Sequence, residues 1–482
     1  MIDLRPVLFV IGVLLSVLAV AMIVPALVDI VLGHIDWQVF LASAAVTLFV
    51  GVSLILSTRT GWGGFNLRQA FLMTTFAWAT IALFGALPFA FSELQLDFTD
   101  AFFEAMSGVT TTGATVIVGL DNAPPGILLW RAALQWLGGI GIIVMAISIL
   151  PILQVGGMQL FRVEAFEADK VLPRAAQVAA GITGIYVALT TLGAIVYWML
   201  GMTGFDAISH AMTSIATGGY STHDASFGFW HETPAIHWAT SVVMVAGSVP
   251  FVLYLRAVRG DILSLLRDSQ VQWMLSILAG ATLIVAAYLV AREVLTPEAA
   301  LRHGTFNVIS VMTGTGYAST DFGAWGGFAV VLMLILMFIG GCAGSTTCGI
   351  KIFRFQIVYA EARVQLRRLM QPNGVFIPYY NHRPIPDKVA QAVMGFFFVY
   401  TLSWAVLALG LGLMGLDFIT AISGAATAIS NVGPGLGPVI GPSGTFTSLP
   451  AEAKWLLSFG MLLGRLELFT VLVMFSPAFW RG

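Results

Sequence analysis

Four short glycine-bearing segments hold the residues best suited to chemistry in this chain. They read TTGATV at 111–116, ATGGYST at 216–222, GTGYAST at 314–320 and NVGPGLG at 431–437. Matching the second to the third without a gap sets Thr217 on Thr315, Gly218 on Gly316, Ser221 on Ser319 and Thr222 on Thr320. The anchoring glycines are then Gly113, Gly218, Gly316 and Gly433, separated by 105, 98 and 117 residues. What such segments offer is backbone. Glycine lets the chain turn with positive φ and expose carbonyls with no Cβ in the way. Rings of carbonyl oxygens replace the hydration shell of a monovalent cation. One such segment alone reads equally well as a connecting turn, and Pro434 and Pro438 suit a turn too. Recurrence at near-equal spacing gives the set its meaning.

The ionisable residues suggest no catalysis. No two acids have the spacing of an acid–base pair, and no Ser–His–Asp or HExxH pattern occurs. Asp100, Glu104, Asp121, Asp206, Asp224, Glu232, Asp321, Asp417 and Glu452 read either as cation-gathering charges at a mouth or as ordinary solvated loop acids. His223, His231 and His237 are too irregularly spaced for a convincing metal site. Cys342 and Cys348 cannot make a disulfide framework. The expectation is that this is not an enzyme and binds no cofactor.

The elements that must position these segments follow from composition. The chain has 482 residues, 58% hydrophobic and 10% charged, against about 25% charged in a soluble domain. Mean hydropathy is +0.91. This is a polytopic membrane protein, and a net charge of −2 leaves no nucleic-acid footprint. Apolar runs fall near 7–32, 37–57, 69–92, 126–152, 176–201, 234–256, 271–291, 327–358, 389–415 and 450–475, which predicts ten spans. After the first two, the spans form four pairs. Each pair encloses a short segment ending in a glycine segment: 98–112, 205–217, 303–315 and 418–432. Such a segment is half a membrane long, so it enters and returns on one side. The predicted architecture is all-α: two extra transmembrane helices over 1–68, then four membrane–pore-loop–membrane repeats over 69–155, 156–262, 263–370 and 371–482 around a pseudo-fourfold pore.

With the N-terminus inside, most of the 22 basic residues fall on inner segments. Both termini are then cytoplasmic, and the pore loops enter from outside. Their short helices aim partly negative C-terminal ends at mid-membrane, which favours a cation. The polar inner loops 153–175 and 359–387 read either as lipid-facing basic surfaces or as a docking surface for a regulator.

Two further features lie at membrane depth. The span 327–358 contains GGCAGSTTCG: Gly340, Gly341, Cys342, Ala343, Gly344, Ser345, Thr346, Thr347, Cys348 and Gly349. Its apolar lead is too short to cross, so the break should face a cavity below the filter and act as a gate, with Lys351 tethering it to an acid or carbonyl. A kink for close helix packing is the other reading. Arg465 sits deep in the last span, either as a positive barrier beneath the filter or as a structural interhelix pair. Glu467, two residues on, is not an obvious partner for it.

These loops, together with GGCAGST and GIK in the third repeat, resemble the Trk/Ktr/HKT superfamily of potassium transporters. The extra front pair points to the bacterial TrkH/TrkG type. The resemblance implies a K⁺ filter of backbone at Thr111, Thr112 and Gly113; Ala216, Thr217 and Gly218; Gly314, Thr315 and Gly316; and Asn431, Val432 and Gly433. It implies an intramembrane gate at 340–349 with Lys351 and Arg465. It also implies a homodimer in the bacterial cell inner membrane with a nucleotide-binding RCK-type partner, TrkA. Glycine at all four filter positions goes with K⁺ over Na⁺ in that family. The chain departs from it at Thr347-Cys348, where more glycine or alanine is expected. Flux through an alternating-access carrier is the other transport reading.

Overall fold

The computed structural model describes residues 2–59, 66–148, 171–381 and 383–481. Most of the loop 153–175, with Arg162 and Lys170, lies outside the described residues, as does His382.

Lipid offers no partner for backbone polar groups, so an apolar chain must satisfy them within helices. Among the described residues the fold is all-α apart from a small hairpin pairing Tyr379–Tyr380 with Arg383–Pro384. Among the described residues, seven helices are long and apolar enough to cross a bilayer: Arg5–Leu32, Trp37–Thr58, Leu67–Phe91, Pro125–Met145, Gln177–Met199, Ser269–Ala291 and Asp387–Leu413. Two bent pairs raise the number to nine: Pro234–Ser248 with Phe251–Val258, and Ala451–Arg465 with Phe469–Phe475. The remaining predicted span, 327–358, divides into Gly327–Phe338 and Ile352–Met370 with irregular chain between.

The sequence reading admitted one broken span, and the structure has three among the described residues. In the second repeat the helix turns by 95° after Ser248. Pro250 has no N–H to continue the ladder. In the fourth repeat it turns by 108°, at Glu467 (φ 61°) and Leu468 (φ 48°). Neither is a glycine, so the sequence carries no breaker there.

The N-terminal pair packs closely, because a Cβ on Gly12 would lie 2.7 Å from the Gly51 carbonyl oxygen. Asp29, fully buried, accepts from the Gly126 N–H at 2.6 Å and joins this pair to the first repeat.

Four short helices descend between the spans: Phe98–Val109, Gly204–Ile215, Pro297–Met312 and Phe418–Ser430. Each starts at a side-chain cap. Asp97, Thr203, Thr296 and Asp417 each accept a backbone N–H of the first turn. Each ends in a C-terminal turn where the N–H of Thr112, Gly218, Thr315 or Val432 reaches back to the carbonyl of Ser107, Thr213, Ser310 or Thr427.

Candidate ion pathway

Those four turns fix the ring. Thr111, Thr217, Gly314 and Asn431 all adopt positive φ, and two residues later Gly113, Gly219, Gly316 and Gly433 do so again. A Cβ on Gly113 would run into the Gly218 carbonyl oxygen, one on Gly219 into that of Thr315, one on Gly316 into that of Val432, and one on Gly433 into that of Thr112. The contacts close a cycle. Every glycine of the ring faces the carbonyl of the next quarter, and no side chain fits at any of the four.

This geometry corrects the register of the second quarter. The gap-free match set Gly218 on Gly316, but Gly219 occupies the equivalent place and Gly218 does not have positive φ. The quarter runs over Thr217, Gly218 and Gly219, and Ala216 is the helix C-cap. A signal for this was present. Ser107, Thr213, Ser310 and Thr427 each lie six residues before the correct glycine. The pairs Gly219-Tyr220 and Gly316-Tyr317 give the same register. Both tyrosines reach back to the preceding repeat: Tyr220 Oη donates to the Glu104 carbonyl at 2.8 Å, and Tyr317 Oη lies 2.5 Å from Thr213 Oγ1.

A cavity of about 240 Å³ opens on the mouth side, lined by Gly113, Gly219, Gly316 and Pro434 among others. Most acids read as mouth charges have other partners. Glu104 is fully buried and pairs with Arg131 at 2.8 Å, while Arg131 also donates to the Ser221 carbonyl at 2.7 Å. Asp100 pairs with Lys454 at 2.5 Å. Asp224 accepts from the Gly119 and Leu120 N–H groups at 3.0 Å each. Asp417 is a helix cap, whereas Glu232 and Glu452 are exposed.

His223 lies 2.5 Å from Asp121 of the first repeat and 3.5 Å from Asp206 of its own. Burial works against its charge, but the two carboxylates outweigh burial and raise its pKa above the usual histidine value. His231 and His237 do not join it, and no group of three metal-ligating side chains occurs among the described residues.

On the other side of the ring lies the segment 340–349. Its ends are pinned together, because Gly340 N–H donates to the Ile350 carbonyl at 2.9 Å and Ile350 N–H to that of Phe338 at 3.0 Å. A Cβ on Gly340 would run into the Cys348 carbonyl. The break in the second repeat receives this loop. Cys342 N–H donates to the Ser248 carbonyl and Thr346 N–H to that of Gly247, both at 3.2 Å, while Phe251 N–H donates to Gly344 at 3.0 Å. Those two carbonyls are free because the helix stops there. The loop also touches the ring quarters: Thr217 Oγ1 lies 3.1 Å from Thr346 Oγ1.

Arg465 is 1% exposed. It donates to the Thr346 carbonyl at 3.1 Å, to Cys348 Sγ at 2.7 Å and to the Gly138 carbonyl at 2.7 Å. Among the described residues no acid pairs with it. Glu467 instead holds Arg354, at 2.5 Å. Lys351 Nζ donates to the Thr347 carbonyl. Cys342 and Cys348 are buried free thiols.

The comparisons with known proteins bear on the same span of chain. The sequence profile of the TrkH family, described as a cation transport protein, matches residues 36–481. The chain belongs to this TrkH family. It is 48% identical over 481 residues to the Trk system potassium uptake protein TrkI of Halomonas elongata, covering 99% of this chain and 97% of that one. The Trk system potassium uptake protein TrkH of Escherichia coli K12 is 38% identical, with 98% of each chain covered. The crystal structure of the potassium transporter TrkH from Vibrio parahaemolyticus superposes with a TM-score of 0.93 at 37% identity, over 100% of both chains. These TrkH-family relatives are named as transport proteins, and the fold class expected from the sequence is that of the family.

Proposed function

We propose that this chain carries K⁺ across the bacterial inner membrane, inward, through a filter made of the four-quarter carbonyl ring. One observation carries the reading: the cycle in which Gly113, Gly219, Gly316 and Gly433 each face a neighbouring carbonyl. Four pore helices end at this ring, and their partly negative C-termini favour a cation. The segment 340–349, with Lys351 and Arg465, is the gate. Arg465 sets an unpaired positive charge beneath the ring, which repels cations until the loop moves. The positive-inside count puts both termini in the cytoplasm. A homodimer and a nucleotide-binding RCK-type regulator complete the assembly by family likeness.

Rubidium uptake into vesicles containing the purified protein, with Na⁺ as competitor, tests this reading. The expected result is uptake that Na⁺ barely inhibits, and a clear loss of that preference in Gly219→Ser. Unchanged preference in Gly219→Ser would remove the filter assignment.

A further inference from the structure

The second quarter differs from the other three in one respect. The residue that precedes the ring glycine is Thr112, Thr315 or Val432 elsewhere, all β-branched, but it is Gly218 here. Its φ does not require glycine. Space does. A Cβ on Gly218 would run into Gln135 Cδ and Oε1 and lie 2.9 Å from its Nε2, well inside van der Waals contact. Gln135 comes from the helix Pro125–Ser148 of the first repeat and is fully buried. Its Nε2 donates to the Gly218 carbonyl oxygen at 2.6 Å, and its Oε1 accepts from the Tyr220 N–H at 3.0 Å. The amide orientation is fixed, because a backbone N–H can only donate and a carbonyl can only accept. Arg131, one helical turn earlier on the same face, holds the Ser221 carbonyl. Among the described residues, Gly218 is the one ring position whose carbonyl takes a side-chain hydrogen bond.

We propose that Gln135 is a positioning residue that determines ion specificity: its amide N–H sets the direction and the charge of one carbonyl in the ring. The proposal rests on the filter reading above. A carbonyl held by a donor swings less and attracts a cation less strongly than a free one. The ring is then held at a size that one partner fixes from outside, while the other three quarters rely on packed β-branched side chains.

The test is the K⁺ over Na⁺ preference of the full-length protein in vesicles, read by rubidium uptake with competing Na⁺. Melting temperature and the amount inserted are measured alongside. Gln135→Leu keeps the volume and removes both hydrogen bonds. The expected result is a fall in preference of about tenfold, the size of one hydrogen bond. Gln135→Glu keeps the acceptor for Tyr220 but supplies a proton to Gly218 only when the acid is protonated. Its preference is expected to fall as pH rises and to return towards the parent on acidification, with the parent compared at each pH. A residue that merely packs gives no such pH profile. If Gln135→Leu fails to insert, the Gln135→Glu profile decides. Gly316→Ser is the control for the filter reading. Loss of preference in Gly316→Ser with none in either Gln135 variant overturns the inference and leaves the filter standing. No loss in any of the three overturns both.

Discussion

Arg465 shows how much a single residue at membrane depth carries. A buried arginine without an acid is costly unless hydrogen bonds or a cavity accommodate it. Here three acceptors do so, on the loop 340–349 and on the first repeat. Arg465→Gln removes the charge and weakens the hold on Thr346. Basal rubidium flux in vesicles is expected to rise about tenfold, because each charge-assisted hydrogen bond contributes ~1.5–3 kcal/mol. A flux equal to the parent's would mean that neither the charge nor the tether restrains the loop. His223 makes a second prediction at this scale. Its pKa is raised in the folded chain by Asp206 and Asp121 against the opposing effect of burial. A raised value means the bridge stabilises fully below the ordinary histidine pKa of about 6.5 and is lost as pH rises through the folded value. The melting temperature of His223→Gln should therefore fall furthest below the parent's at acid pH, and the gap should close in alkali. Asp121 lies at the Nδ1 edge of the imidazole and Asp206 at its Nε2 edge, while Phe229, stacked with ring centroids 3.7 Å apart, is uncharged.

At the scale of elements, the loop 340–349 and the broken helix of the second repeat depend on one another. The helix stops at Pro250, and the loop amides bond to the carbonyls this frees. Gly340→Ala sets a methyl against the Cys348 carbonyl where nothing can yield except the loop itself. Overpacking of this kind costs about 1–3 kcal/mol. The expected outcome is a higher basal flux with a lowered melting temperature, and an unchanged flux would show that loop closure does not limit it. The second break is held differently. Arg354 follows the loop on Ile352–Met370, stacks 3.8 Å from the Phe396 ring and pairs with Glu467 at the bend. Glu467→Ala strips a buried arginine of its acid and should destabilise by about 3–5 kcal/mol, read as a loss of thermal stability in detergent.

Legibility in the sequence divided along the same lines. The four repeats were readable because glycine clusters interrupted otherwise apolar chain at regular distances. Arg465 was readable because a basic residue deep in the apolar stretch FGMLLGRLELFTVLV stands out. The second-quarter register was not, since Gly218 and Gly219 both look like ring glycines and only Gly219 has the required backbone. Gly218 is glycine for the sake of a side chain 83 residues away. The Glu104–Arg131 pair was missed for a similar reason. Its members are 27 residues apart on different helices, so Glu104 looked like a loop acid. The bend at 467–468 stayed hidden because its residues are neither proline nor glycine.

For the molecule as a whole, the feature that matters most is that the ring comes from a single polypeptide. A pore assembled from identical subunits takes every substitution in its ring four times over, and most such changes would be ruinous. Here a codon alters one quadrant and leaves three intact, so the aperture can drift away from symmetry in small, survivable steps. The glycine that makes room for Gln135 is one such quadrant-specific departure, and chains of this architecture are free to differ from one another a quadrant at a time.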